Sequence, residues 1–273
     1  MYDHLIAMNR SHCILQRIAQ TPSQIETQDM GLISGKMGAV IFFFHYARYS
    51  GEPYYEDIAM EFLEDIQHQL LSSPEKSYRH GVAGIGVAID YLLANNFITA
   101  DEDLLDDFDP VMQMAAFDPI TDYSLYDGLT GYGWYWLTRT NSVSTEPILS
   151  EIVGSIRKGL YQLSATEGFD VFNFLFELNC TSFYGQNIAN LLTYFRNLNL
   201  HSLSGVPYPR LSGSPAGEAA RTYLLGRYWQ FDGYYPSIQE IDEIAFDSKT
   251  LAWDGLYLLS VLSPHEKAWM GLL

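Results

Sequence analysis

A pair of glycines three residues apart returns at a near-constant interval along this chain, and each pair opens an apolar run. Gly35-Lys36-Met37-Gly38 precedes Ala39 to Phe44, Gly81-Val82-Ala83-Gly84 precedes Ile85 to Leu93, and Gly128-Leu129-Thr130-Gly131 precedes Tyr132 to Leu137. The first glycines lie 46 and 47 residues apart. Self-similarity at such a period marks structural units that bury their apolar faces by stacking on one another. A helix that is apolar nearly all round must be buried on several sides. Small residues at its start let backbones approach closely, at a cost in helix propensity of up to ~1 kcal/mol per glycine.

Amphipathic segments separate these runs. In Tyr54 to Leu71, Ile58, Phe62, Ile66 and Leu70 recur every fourth residue, while Glu56, Asp57, Glu61, Glu64 and Asp65 take the other faces. That spacing predicts a helix with one buried face. Leu104 to Ala116 and Ile148 to Leu163 are weaker segments of the same kind. The alternation predicts an all-α ring or solenoid of helical hairpins, with buried helices inside and amphipathic helices facing water. The loop from Leu200 to Gly217, rich in Ser, Pro and Gly, reads as a connection within one domain, so residues 1–273 are expected to form a single unit.

Composition narrows the partners. Net charge is -18, from 33 acidic against 15 basic residues. Such a surface repels nucleic-acid phosphates and anionic membranes and attracts a basic peptide; the plainer reading is solubility. Aromatic residues, 15% of the chain, suit wide interhelical spaces or a binding cavity. Cys13 and Cys180 are too few for a disulfide framework or a paired-cysteine zinc motif. Residues 1–20 carry Asp3, His4, Asn9, Arg10 and Arg17 among their apolar positions, unlike a signal peptide. No run reaches the roughly 18 apolar residues of a membrane span. The expected location is the cytoplasm.

Several of these segments resemble the lanthionine synthetase C-like family, and in particular its Bacteroidetes-type branch. Gly35 to Gly38 with Ala39 to Arg48 resembles the family's first repeat, His80 to Gly86 its second, and Leu125 to Gly133 its third. Gly255 to Ser260, with Pro264, Trp269 and the final Leu272-Leu273, is similar to its closing repeat. The resemblance implies an (α/α) toroid of inner and outer helices. In active members it also implies a zinc ion, held by one Cys of a Trp-Cys-x-Gly repeat and by an adjacent Cys-His of a later repeat. That zinc activates a peptide cysteine as thiolate for addition to a dehydroamino acid. This chain departs at those positions. Leu211, in Leu211-Ser212-Gly213, stands where the first zinc cysteine is expected; no Cys-His-Gly occurs; and Tyr184, in Ser182-Phe183-Tyr184-Gly185, stands where the family often has His. No metal site, cofactor or zinc-dependent cyclase activity is therefore expected.

The remaining candidates are residues at the starts of buried helices. His80 precedes the second glycine pair, either as a general base or as a hydrogen-bonding residue at a helix start. Tyr126 and Asp127 precede the third pair, and Trp253 and Asp254 precede Gly255. Asp127 and Asp254 read either as helix caps or as a carboxylate pair of a sugar-cleaving enzyme. In the second case Trp134, Trp136, Trp229 and Trp253 stack on sugar rings; otherwise they pack in the core. The acidic stretch Asp101 to Asp109 lacks the alternation and central glycine of a calcium loop and reads as a solvated helix start. The functional expectation is a divergent, non-catalytic relative that binds a peptide or a partner peptide-modification enzyme, with His80, Tyr126, Asp127, Tyr184, Trp253 and Asp254 as candidate cavity residues. The alternatives are a carbohydrate-active ring enzyme and a decayed relative that keeps only the fold.

Overall fold

The computed structural model describes residues 2–20, 29–72, 75–181, 186–197, 214–229, 250–263 and 267–273. Among them every regular element is helical, as the repeat predicts, and no helix is long and apolar enough to cross a membrane. The chain forms two compact units, one of residues 1–72 and 208–273 and the other of residues 73–207.

The first unit contains α1 (Tyr2–Ala19), α2 (Lys36–Ser50), α3 (Tyr54–Ser72), α10 (Pro215–Trp229) and α11 (Leu251–Leu262). Helix α2 is buried from Lys36 through Ala47, on every face, which is what its unbroken apolar run requires. It packs on α3 and α11, and α11 also meets α1 and α10. Lys36 is only 4% exposed; its ammonium lies 2.7 Å from the Asp65 carboxylate and so ties α2 to α3. Helix α2 stops at Gly51, whose φ of 73° is left-handed and whose N–H returns to the Ala47 carbonyl, a stop that favours glycine.

The second unit contains α4 (Val82–Ala94), α5 (Asp109–Phe117), α6 (Leu129–Thr138), α7 (Glu146–Gly159), α8 (Ala165–Cys180) and α9 (Gln186–Asn197). Helix α6 is its hub and packs on α4, α5, α7 and α8. Buried helices interlock by one rule, an aromatic ring set on a glycine. A Cβ at Gly86 of α4 would stand 2.7 Å from the Tyr135 ring of α6, and one at Gly133 of α6 would stand 2.6 Å from the Phe174 ring of α8. In the first unit, Phe42 of α2 lies in the same way against Gly255 of α11. Each glycine removes the side chain that would hold the neighbouring helix away.

Three sequence expectations change. The segment predicted as helical from Leu104 begins its helix only at Asp109, with Pro110 in the first turn. Asp103, Asp106 and Asp109 are turned toward Arg139, which is only 3% exposed and whose guanidinium contacts them at 2.6, 2.9 and 2.8 Å respectively. These three form the shell of a buried cation, while Asp101, Glu102 and Asp107 stay exposed, as a solvated helix start predicts. Helix α8 is a buried helix without a glycine pair; it opens instead on a capping box, in which Ser164 and Glu167 exchange hydrogen bonds with each other's backbone. Helix α11 starts at Leu251, so Asp254 and Gly255 lie within it rather than at its cap.

Candidate functional site

The loops that open α2, α4 and α6 share one construction. In each, an acidic residue lies six positions before the first glycine: Asp29, Glu75 and Asp122. Its side chain accepts the N–H two residues on, from Gly31 at 2.8 Å, Ser77 at 3.1 Å and Ser124 at 2.8 Å. Its carbonyl accepts the first N–H of the helix, from Lys36 at 2.8 Å, Val82 at 2.8 Å and Leu129 at 3.0 Å. The loop thus folds back onto the glycine. A Cβ at Gly35, Gly81 or Gly128 would run into the backbone of Asp29, Glu75 or Asp122 respectively. The glycines have extended backbone angles open to any residue, so the requirement is one of space.

In the second unit this construction presents His80 and Asp127 at the same place on neighbouring loops. The His80 N–H is held by Ser77 Oγ at 3.1 Å and the Asp127 N–H by Ser124 Oγ at 3.4 Å, while both residues stay exposed. The Tyr126 carbonyl joins the two loops, accepting from the N–H of Tyr78 at 2.9 Å and of Arg79 at 3.1 Å. Tyr126 itself is buried, its ring stacked on Tyr78 at 6.1 Å between centroids. The Arg79 guanidinium lies 5.0 Å over the Tyr126 ring and 3.2 Å from the Asp127 carboxylate. From the other side, α8 clamps the Asp127 loop: Glu167 accepts from Tyr123 N–H at 3.0 Å, and the buried Asp170 from Leu125 N–H at 2.8 Å.

The field at this mouth is negative. Tyr132, in the first turn of α6, has its phenol pushed above the usual range by burial first, and then by the charges of Glu75, Asp122, Asp118 and Asp127. Lys76, 3.6 Å from Asp118, and Arg79 are the cations paired with these acids. Neither Glu75, Asp118, Asp122, Arg79 nor Tyr132 stands out by sequence alone, although the acid six residues before each glycine pair is a signal that is visible there. The structure therefore brings together His80, Tyr126 and Asp127 of the predicted residues and adds these others.

Trp253 and Asp254 belong to the first unit and are structural there. Both are 1% exposed. The Trp253 indole N–H donates to the Ile33 carbonyl at 2.7 Å, fastening α11 under the loop that opens α2. Asp254 accepts from the Thr250 hydroxyl at 2.9 Å and faces the Ala216 N–H at 3.5 Å, at the start of α10, where a carboxylate is favoured by the helix dipole. A carboxylate so enclosed is poorly placed to work on a sugar. Trp136 is buried as well. Tyr184 and Leu211 lie outside the described residues.

The donor chemistry does not fit a zinc thiolate site. Cys13 and Cys180 are both exposed, on α1 and at the end of α8, and among the described residues no group of three or more His, Cys, Asp or Glu is placed to hold a metal ion.

A model of the family described as lanthionine synthetase C-like protein matches residues 26–173, more than half of the chain. The chain belongs to this family. The match spans the three glycine-started helices and the loops just described, and the all-α hairpin architecture is that of the family's fold class, the (α/α) toroid. No curated protein and no solved structure matches the chain.

Proposed function

We propose that this protein is a non-catalytic lanthionine synthetase C-like protein that binds a basic peptide, free or as a segment of a peptide-modifying enzyme, across the loops that open α4 and α6. The observation that carries this reading is the surplus of acids at that mouth, where Glu75, Asp118, Asp122 and Asp127 are exposed and only Lys76 and Arg79 are paired with them among the described residues. Exposed His80 and the Arg79–Asp127 pair supply hydrogen-bonding groups at the same place. The chain's net charge of -18 draws a cationic segment toward it. The chain's cysteines and histidines do not supply the donor set of the cyclases, so binding, without ring closure, is the activity left to the fold.

The test is binding of a fluorescent lysine-rich peptide, measured by anisotropy at low and high salt, to the wild type and to Asp118→Asn/Asp127→Asn. Saturable binding that weakens several-fold with salt and in the variant is expected, with an acidic peptide inert. Thioether formation on a dehydrated cysteine peptide, or stoichiometric zinc in the purified protein, would overturn the non-catalytic assignment.

A further inference from the structure

The second unit also holds a cavity of about 230 Å³ at the other end of its buried helices. Ile89, Asp90 and Leu93 reach it from the last turns of α4, Thr138 and Arg139 from the end of α6, and Glu102, Leu104 and Leu105 from the segment before α5. None of these residues belongs to the loop mouth, so the cavity is independent of the peptide reading.

Three properties of the cavity narrow its occupant. Its wall is mixed: Ile89, Leu93, Leu104 and Leu105 give it an apolar side beside its polar and charged groups, and Leu104 is left 45% exposed there, which suits methylene groups. Its charge is negative. Arg139 is the only cation among the lining residues and is already matched by Asp103, Asp106 and Asp109. The C-terminal ends of α4 and α6 add partial negative charge. Asp90 and Glu102 have no hydrogen-bond or ion-pair partner among the described residues. Asp90 is open at the rim, yet the protein around it dehydrates it enough to push its carboxyl above the usual range, and no donor or cation offsets that. The cavity is also small, below the roughly 300 Å³ at which pockets for drug-sized ligands begin. A compact metal ion does not suit it, because the carboxylates do not converge into a ligand set among the described residues.

We propose that this cavity binds an alkylammonium group, a short methylene chain ending in a primary amine, with the chain along Leu93, Leu104 and Leu105 and the ammonium at Asp90 and Glu102. A lysine side chain and a free aliphatic diamine share this chemistry.

Titration calorimetry on the full chain separates the possibilities, using 1,5-diaminopentane, N-acetyl-lysine N-methylamide and, as the uncharged counterpart, 1-pentanol. Saturable binding of at least one amine is expected, roughly tenfold or more weaker in Asp90→Asn and in Glu102→Gln, with 1-pentanol inert. Glu102 is exposed and has no partner among the described residues, so Glu102→Gln should melt as the wild type does, while Asp90→Asn, which removes a dehydrated charge, should melt no lower; having two variants keeps the test valid if one fails to fold. Binding of the lysine probe assigns the cavity to a partner's side chain; binding of the diamine alone assigns it to a free amine. Asp118→Asn/Asp127→Asn at the mouth should leave amine binding unchanged, so failure of the peptide reading does not imitate failure here. Absence of saturable binding by either amine, or affinities unchanged in both cavity variants, would overturn the inference.

Discussion

Gly128 and Gly154 show why a glycine count says little until each site is seen. The space beside Gly128 is filled by the backbone of Asp122, whereas a Cβ at Gly154, in the middle of α7, meets nothing within 4 Å. Gly128→Ala is expected to destabilise by about 2–4 kcal/mol, because a backbone segment must move. Gly154→Ala should stabilise by up to ~1 kcal/mol through helix propensity. Urea unfolding of the two variants measures both, and equal effects would show that the loops do not fold back on the glycines. Tyr46 gives a second test at this scale. Burial first, then Tyr55, Glu52 and Tyr49, push its phenol up to about 12. The proton is therefore held more tightly in the folded chain than in the unfolded one. Its stabilising contribution is complete below the ordinary tyrosine value of about 10 and disappears as pH rises through the folded value. Tyr46→Phe should flatten that alkaline loss of stability, read from unfolding midpoints across the same interval.

Between elements, the joints rest on a few long-range contacts. Arg139, at the end of α6, gathers Asp103, Asp106 and Asp109 from the segment leading into α5, and Asp109 also accepts the Tyr135 hydroxyl at 2.7 Å. Arg139→Met leaves these carboxylates facing one another and is expected to cost about 2–4 kcal/mol at neutral pH, less than a fully buried pair because the acids are partly exposed. Hydrogen bonding from Arg139 holds the Asp103 carboxyl below the usual range. That stabilisation is present above the ordinary carboxylate value of about 4 and is lost as pH falls through the lowered folded value. The wild type should therefore lose stability on acidification through this group, and the variant should not. Stability curves that run parallel with pH would show that Arg139 does not set the acid response. At the start of α8, Ser164→Ala removes one half of the capping box and should cost about 1 kcal/mol in the same unfolding assay.

The whole molecule adds a uniform bias of charge. With a net charge of -18, the folded chain repels itself, and modest salt should raise its melting temperature while slowing capture of a basic peptide. The two effects have opposite signs on stability and binding, and scanning calorimetry together with stopped-flow association at matched ionic strengths checks both. If salt changed neither, the charge would be a matter of solubility alone. The glycine-started helices that carry the family match are packed as the repeat requires, and the sequence has only two cysteines, Cys13 and Cys180.

Local sequence determined what periodicity and sterics can encode. The four-residue spacing from Ile58 to Leu70 marked out the helix now seen at Tyr54–Ser72, and the glycine pairs marked the starts of α2, α4 and α6. These depend on which residues share a face and on where a side chain is forbidden, and both are properties of neighbours along the chain. Tertiary structure alone decided the partners. Nothing near Arg139 in sequence shows that it would draw in acids 30 to 36 residues away. Nor does the sequence around Asp254 show that a residue beside a glycine would be enclosed inside a helix instead of opening onto a cavity. His80 and Asp127 were visible as candidates, but their shared mouth depends on the Tyr126 carbonyl joining two loops. Charge pairing and burial act through space, so they are settled only once distant segments meet.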